Sequence, residues 1–561
     1  MVLILLSWIV MLAFFIPSGI LLKSLLKIDS NNFSITAFLG MFFQCVLLSI
    51  CCFFTNIGIE IFIANALFSA IISWYKLSEI KNIVRNFKAD LKLFSVYSKI
   101  ILAIILVSSL YKCSLAPFLI DNESYYIQTI KWINEYGIVK GLANLHVFFA
   151  QTSPLHVLQS GFNFDFLQFD FNDINGLILL LSALFFITKF ELQFKESNSF
   201  HWIGFVLIFD ILFFQFIGQP SPDLIIILVS QIIFYLFVEK NESDNDLKTA
   251  TCLFLMLFFI KITILPLALL FLFWMYKQKK GIVLFATLGM LLSIILIIKN
   301  TIISGYPLFP FRYFATDFTW KLPTEFFEFI TVSTKNAGYF ENELIENPSF
   351  YQKIIAWLQL SGLNRIFNYG IILLFIFSVF TIEFRKNLKY KILFFVLLVH
   401  FIALLITSPQ FRFFLPEFVF FATLIISNII NYFKMNFKFV QVSLVIFVLF
   451  FLIFIEFIDF KKVTDNTLMQ SRTQFQLSNL LVPAANSKYD KMKFEIIKNE
   501  NLTYYSPCEN FFFYGTADGK LPCVNKVQID YFEKYYFIKP QMLTRNLNDG
   551  FYSKTLNHNN E

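Results

Sequence analysis

Stretches of about twenty apolar residues, enough at roughly 1.5 Å per residue to cross a hydrocarbon layer, recur in this chain from Leu3 to Ile455. Backbone in hydrocarbon must satisfy its own hydrogen bonds, so such runs fold as helices. They predict helices over 2–22, 34–54, 57–75, 100–117, 172–191, 201–217, 223–238, 282–298, 367–384, 392–407, 415–432 and 439–457. A further stretch, 249–260 with 263–276, is interrupted by Lys261 and Pro266 and reads as a broken or re-entrant pair. The expected fold class is an all-α polytopic integral membrane protein of about fourteen helices. Composition agrees: 57% of the 561 residues are hydrophobic and 78 are phenylalanine. The mean hydropathy of +0.67 exceeds what a soluble core requires. No phosphate-binding glycine loop, zinc spacing or Ser/His/Asp set is present. The partner implied first is the lipid bilayer, and nothing calls for nucleic acid.

Basic residues report which loops remain in the cytoplasm. Lys23 and Lys27, the run from Lys76 to Lys99, Lys277 to Lys280, Arg385 to Lys391, and Lys434 with Lys438 all fall on one side when the runs alternate. That side is read as inside, with the N and C termini outside. The first run begins at Val2 with no basic region before it, so it reads as a spanning helix and not a cleaved signal peptide. Residues 118–171, 299–367 and 458–561 are then the long outer segments.

The first outer segment contains "LIDNESYYIQTIKWINEYGIVKGLANLH". Asp121 stands at the membrane surface, where a carboxylate can serve as a general base or metal ligand. Taken alone it reads first as a cap of the helix that follows. Lys131, Trp132, Asn144 and His146 add the mixture of ring and polar side chains that a sugar-binding face needs. In "GQPSPDL", Ser221, Pro222 and Asp223 form a helix start, and Asp223 can also face the cavity of Asp121. Lys261 is an ammonium in an apolar stretch, which is expensive unless it faces a cavity or partner. Arg412 opens a late helix and is well shaped for phosphate, whereas Arg312 reads as an interfacial side chain that snorkels. Asp244–Asp246, "DND", reads as a solvated inner loop. Two carboxylates permit a divalent cation without demanding one. Cys508 and Cys523 are the disulfide candidates of the C-terminal region.

The string "KWINEYGIVKGLANLH", followed by "SPDL", "SGYPLFPF" and a tail with "LPC" and "DGF", resembles an uncharacterised bacterial family of polytopic membrane proteins linked to surface polysaccharide synthesis. The likeness spans roughly 121–551. More distantly the arrangement resembles the GT-C superfamily of polyprenyl-phosphate-sugar-dependent glycosyltransferases, in which an acidic residue of the first outer loop is catalytic. The resemblance implies a division into additional N-terminal helices (1–99), a GT-C-like core (100–457) and an extracytoplasmic C-terminal region (458–561). It gives Asp121 the catalytic role. "RFFLP" at Arg412 resembles the element that opens a late core helix in lipid-phosphate sugar transferases, and Lys261 resembles their lysine in a broken helix. One departure stands out: the close family continues after His146 with an Arg, where this chain has "VFFAQ", so Phe148 takes that neighbourhood. The implied activity is transfer of a sugar from a polyprenyl-phosphate donor to a glycan, lipid or protein acceptor outside the bacterial cytoplasmic membrane, with inversion. The competing class is a transporter or flippase of a lipid-linked or polar solute, for which intramembrane charge is equally suitable.

Overall fold

The computed structural model describes residues 1–197, 199–239, 243–340, 348–457, 474–508 and 511–556. The chain opens with α1 (Val2–Leu26) and α2 (Phe33–Cys51). These two pack backbone against backbone. A Cβ on Gly19 would lie 2.0 Å from the Thr36 carbonyl oxygen, and one on Gly40 would lie 1.7 Å from that of Phe15. Such close approach is how helices associate in lipid, where apolar burial alone gives no drive. Next, α3 (Ile59–Tyr75) and α4 (Leu77–Leu93) meet at 85°, and α5 (Val96–Cys113) returns through the bundle.

A π-helical turn, Asn122–Tyr126, leads into α6 (Ile127–Glu135) and the short α7 (Pro154–Ser160). Then come α8 (Ile174–Ser197), a tightly wound stretch over Trp202–Phe216, and α9 (Pro222–Glu239). α10 (Asp244–Ile260) stops at Lys261, whose backbone is extended, and the chain resumes as a 3-10 helix, Ile262–Leu267, and α11 (Ala268–Gln278). The break expected around Lys261 and Pro266 is present. α12 (Ile282–Ser304), α13 (Thr324–Asn336), α14 (Phe350–Gln359), α15 (Gly362–Ser378), α16 (Leu388–Thr407), α17 (Leu415–Tyr432) and α18 (Phe437–Phe457) complete the helical part.

Among the described residues, eight helices are long and apolar enough to cross a membrane, or ten when each sharply bent pair counts as one span. The chain is a multi-pass membrane protein. All the apolar runs of the sequence are helical, yet fewer than fourteen pass that test, because the length of an apolar run marks a helix without counting its breaks. Pro266 and the tight winding of Trp202–Phe216 shorten two of them. One apolar core runs from α1 to α18, so the first helices are built into the bundle.

The C-terminal region is a small α/β unit: β1 (Phe494–Asn499) pairs antiparallel with β2 (Leu502–Pro507), and after α19 (Lys526–Tyr536), β3 (Ile538–Met542) pairs with β4 (Phe551–Thr555). It sits at the same end of the bundle as the start of the chain, since the Met1 amine donates to the Asn479 carbonyl oxygen at 2.6 Å and Ala484 N to that of Ser114 at 2.8 Å.

Candidate functional site

Four charged side chains from four separate elements meet at this end of the bundle. Arg412, in the turn before α17, donates from Nη1 to Asp121 Oδ2 at 2.8 Å and lies 3.6 Å from Asp223 Oδ2. Lys261, freed by the end of α10, bonds Asp223 Oδ1. Phe413 lies beneath both cations, 3.9 Å from Lys261 Nζ to the ring centre and 5.1 Å from the Arg412 guanidinium. Asp223 is only 5% exposed, whereas Asp121, Lys261 and Arg412 each keep about a quarter of their side-chain surface open.

The local fold explains each position. Asp121 precedes the π-helical turn, has helical φ and ψ, and makes no capping bond; its carboxylate goes to Arg412, so capping is not its role. A single π-turn in an otherwise α-helical segment is a feature common at functional sites. Asp223 does lie at a capped start: its N–H donates to Ser221 Oγ at 3.4 Å. Burial opposes the Arg412 charge, but Asp121 and Asp223 outweigh it and raise the guanidinium's pKa. Tyr125 and Tyr126, buried beside Asp121, have their phenol pKa values raised by burial and stay protonated as neutral donors.

A second layer, not singled out from the sequence, lies beneath the cluster. His400 of α16 and Glu417 of α17 are buried and bond through Nδ1 and Oε1, and His400 Nε2 lies 3.0 Å from the Thr263 carbonyl oxygen. A carbonyl only accepts, so Nε2 carries a proton. His400 Nδ1 and the Glu417 carboxyl form one bonded pair. It ties the break that releases Lys261 to the helix that begins beside Arg412. The signal was available: a histidine and a glutamate inside apolar runs are rarely without a partner.

Lys131, Trp132, Asn144 and His146 lie apart from these four and face the C-terminal region. Lys131 pairs with Asp518 at 2.5 Å. Trp132 is fully buried, edge-on to Phe551 at 5.7 Å. Asn144 donates to the Trp320 carbonyl oxygen and accepts from Ser553 Oγ. His146 Nε2 donates to the Tyr514 carbonyl oxygen at 3.1 Å and Nδ1 accepts from Phe148 N; burial pushes its pKa down to about 4, so it is neutral. Glu123, buried two residues after Asp121, accepts from Ser487 Oγ at 2.6 Å and Lys488 N at 3.0 Å, while its carbonyl oxygen accepts from Thr516 N and Ala517 N. The C-terminal region is thus clamped onto the segment that carries Asp121. Phe148 bridges Tyr125 and Tyr514 with ring centres 5.6 and 4.6 Å away.

Cys508 and Cys523 are free thiols and form no disulfide: Cys523 is buried with its Sγ directed at the Thr516 carbonyl oxygen. Arg312 is exposed and bonds Glu328. Asp244 and Asp246 fall in the first turn of α10, capped by Ser243. Among the described residues no group of three or more His, Cys, Asp and Glu side chains could hold a metal ion. The two carboxylates of the cluster, Asp121 and Asp223, are each already paired with a cation.

A family model described as a domain of unknown function, DUF8201, matches residues 1–420. The chain belongs to the DUF8201 family. That match covers α1 through the start of α17 and includes Asp121, Asp223, Lys261 and Arg412. No curated protein and no solved structure matches the chain.

Proposed function

We propose that this DUF8201 protein is a membrane glycosyltransferase that moves a sugar from a polyprenyl-phosphate donor to an extracytoplasmic acceptor in surface polysaccharide or glycolipid synthesis. The observation that carries the proposal is the convergence of Asp121, Asp223, Lys261 and Arg412 at one end of an apolar bundle. The cluster neutralises itself without ligand. A donor phosphate competes for Arg412 and Lys261 and releases the carboxylates they hold. Asp121, no longer paired, takes the proton of an acceptor hydroxyl as its oxygen attacks the anomeric carbon. The bond from that carbon to the phosphate oxygen breaks on the opposite face, the configuration inverts, and polyprenyl phosphate leaves with its added charge held by Arg412 and Lys261. Asp223 keeps both cations in place between turnovers.

In this reading the protein lies in a bacterial cytoplasmic membrane with both termini and the cluster outside, a placement that the distribution of basic loops supports. Ile262 and Leu265, exposed immediately after Lys261, would let a lipid-borne donor approach from the bilayer, which holds donor and site in one plane. The test is purified protein in detergent supplied with radiolabelled polyprenyl-phosphate sugars and a glycan extract. Labelled product is expected, and Asp121→Asn should abolish it. Binding of the donor without any product, combined with its movement across reconstituted vesicles, would replace the transferase with a flippase.

A further inference from the structure

The second outer segment contains a loop whose base and tip are built in opposite ways. Its base is locked onto the end of α12: Thr316 donates to the Gly305 carbonyl oxygen from both N and Oγ1, Leu322 N donates to Ser304, and Trp320 Nε1 donates to Thr301 at 3.2 Å. Tyr306 and Phe309 turn inward, and Tyr306 stacks on Phe327 of α13 at 4.4 Å. The tip, residues 310–315, is exposed throughout. It presents Phe311, Tyr313 and Phe314, which are 49%, 68% and 80% exposed, and Phe318 follows at 45%.

Phe314 carries a second mark. Its φ is +59°, a left-handed conformation in which a bulky side chain is strained and which turns normally give to glycine or asparagine. The ring is held there at a backbone cost and is nevertheless 80% exposed, and an exposed, strained aromatic marks a contact surface.

We infer that Phe311, Tyr313 and Phe314 insert into the headgroup layer of the membrane leaflet at this end of the bundle and anchor the loop to the lipid surface. The occupant follows from continuity. The loop leaves α12 directly, and α12 exposes Ile294, Ile297 and Ile298 along its last turns, so the rings extend an apolar face that already meets lipid. Arg312 stands among the rings, as cationic side chains do where a chain meets lipid headgroups. Through Trp320, which holds Asn144, and through Phe326, 4.0 Å from Phe532, the anchored loop fixes the height of the C-terminal region above the bilayer. This inference stands whether or not the cluster transfers a sugar.

The test places a bimane fluorophore on Phe314→Cys, and separately on Tyr313→Cys, in the full chain reconstituted in phosphatidylcholine vesicles. Labelled wild-type protein corrects for Cys51 and Cys508, and Lys491→Cys, exposed in the C-terminal region, gives the aqueous reference. Lipids carrying a doxyl group near the headgroup should quench the tip fluorophores at least twofold more than the reference, and aqueous iodide should quench them at least twofold less. Tip labels that behave like the reference toward both quenchers overturn the inference and turn the rings toward a protein or glycan in water. Either tip variant suffices if the other fails to fold.

Discussion

Removing the Arg412 guanidinium should cost stability in a way that depends on Asp121. The two groups bond at 2.8 Å, with charge centres about 4 Å apart, which gives a bare attraction of about 4 kcal/mol at an effective dielectric near 20. Desolvation offsets part of this, and about a quarter of each side chain remains in contact with solvent, so the net coupling reduces to about 1–2 kcal/mol. Asp223, 3.6 Å from the same guanidinium and only 5% exposed, adds to the loss when Arg412 goes, because Lys261 is then its only remaining cation. Arg412→Ala should therefore destabilise by about 2–3 kcal/mol, whereas Asp121→Asn, which keeps an acceptor for Arg412, should cost less than about 1 kcal/mol. The double variant should be more stable than the sum of the two by about 1 kcal/mol. Thermal unfolding of the four proteins in one detergent at low salt measures the cycle. Strict additivity would show that the Arg412–Asp121 pair is not formed in solution and would remove the geometry on which the site rests.

Three further outcomes follow from the same structure. Glu417→Gln still offers a donor to His400 Nδ1 and should unfold within a few degrees of wild type, whereas Glu417→Leu leaves that nitrogen unpaired and should lose about 1–3 kcal/mol; equal losses would refute the pairing. Burial, helped by Asp518 and Asp165, pushes the Asp170 carboxyl up to about 6, so its ionisation opposes folding increasingly as pH rises from about 4 to 6 and fully above that. Asp170→Asn should accordingly raise the unfolding temperature at pH 8 and leave it unchanged at pH 4, and a gain confined to low pH would contradict this. Cys508, half-buried and free, should be alkylated by a membrane-impermeant maleimide without prior reduction, while Cys523 should react only after unfolding; labelling of both only after reduction would establish the disulfide instead.

The four residues of the cluster were legible in the sequence for one physical reason. A charge in an apolar chain is costly unless it is paired or faces water, so Asp121, Asp223, Lys261 and Arg412 each demand an explanation where they stand. Their meeting was not legible, since it joins elements up to 291 residues apart in the chain. Lys131, Trp132, Asn144 and His146 illustrate the opposite limit. Polar and ring side chains gathered in one loop signal that something covers them, but the pattern does not say whether that is a sugar or, as the structure has it, the chain's own strands and turns between Tyr514 and Ser553. The helical class followed from run length and hydropathy, whereas the number of spans depended on local breaks, as at Lys261 and Pro266, that run length alone does not count.

Surface glycan composition in cells carrying Asp121→Asn, with the membrane level of the protein measured in the same cells, separates an Asp121 that acts on a surface sugar from one that only holds Arg412. If Asp121 takes the acceptor proton, one sugar is lost at normal protein level. An unchanged glycan at normal protein level would contradict it and leave Asp121 as a structural partner of Arg412.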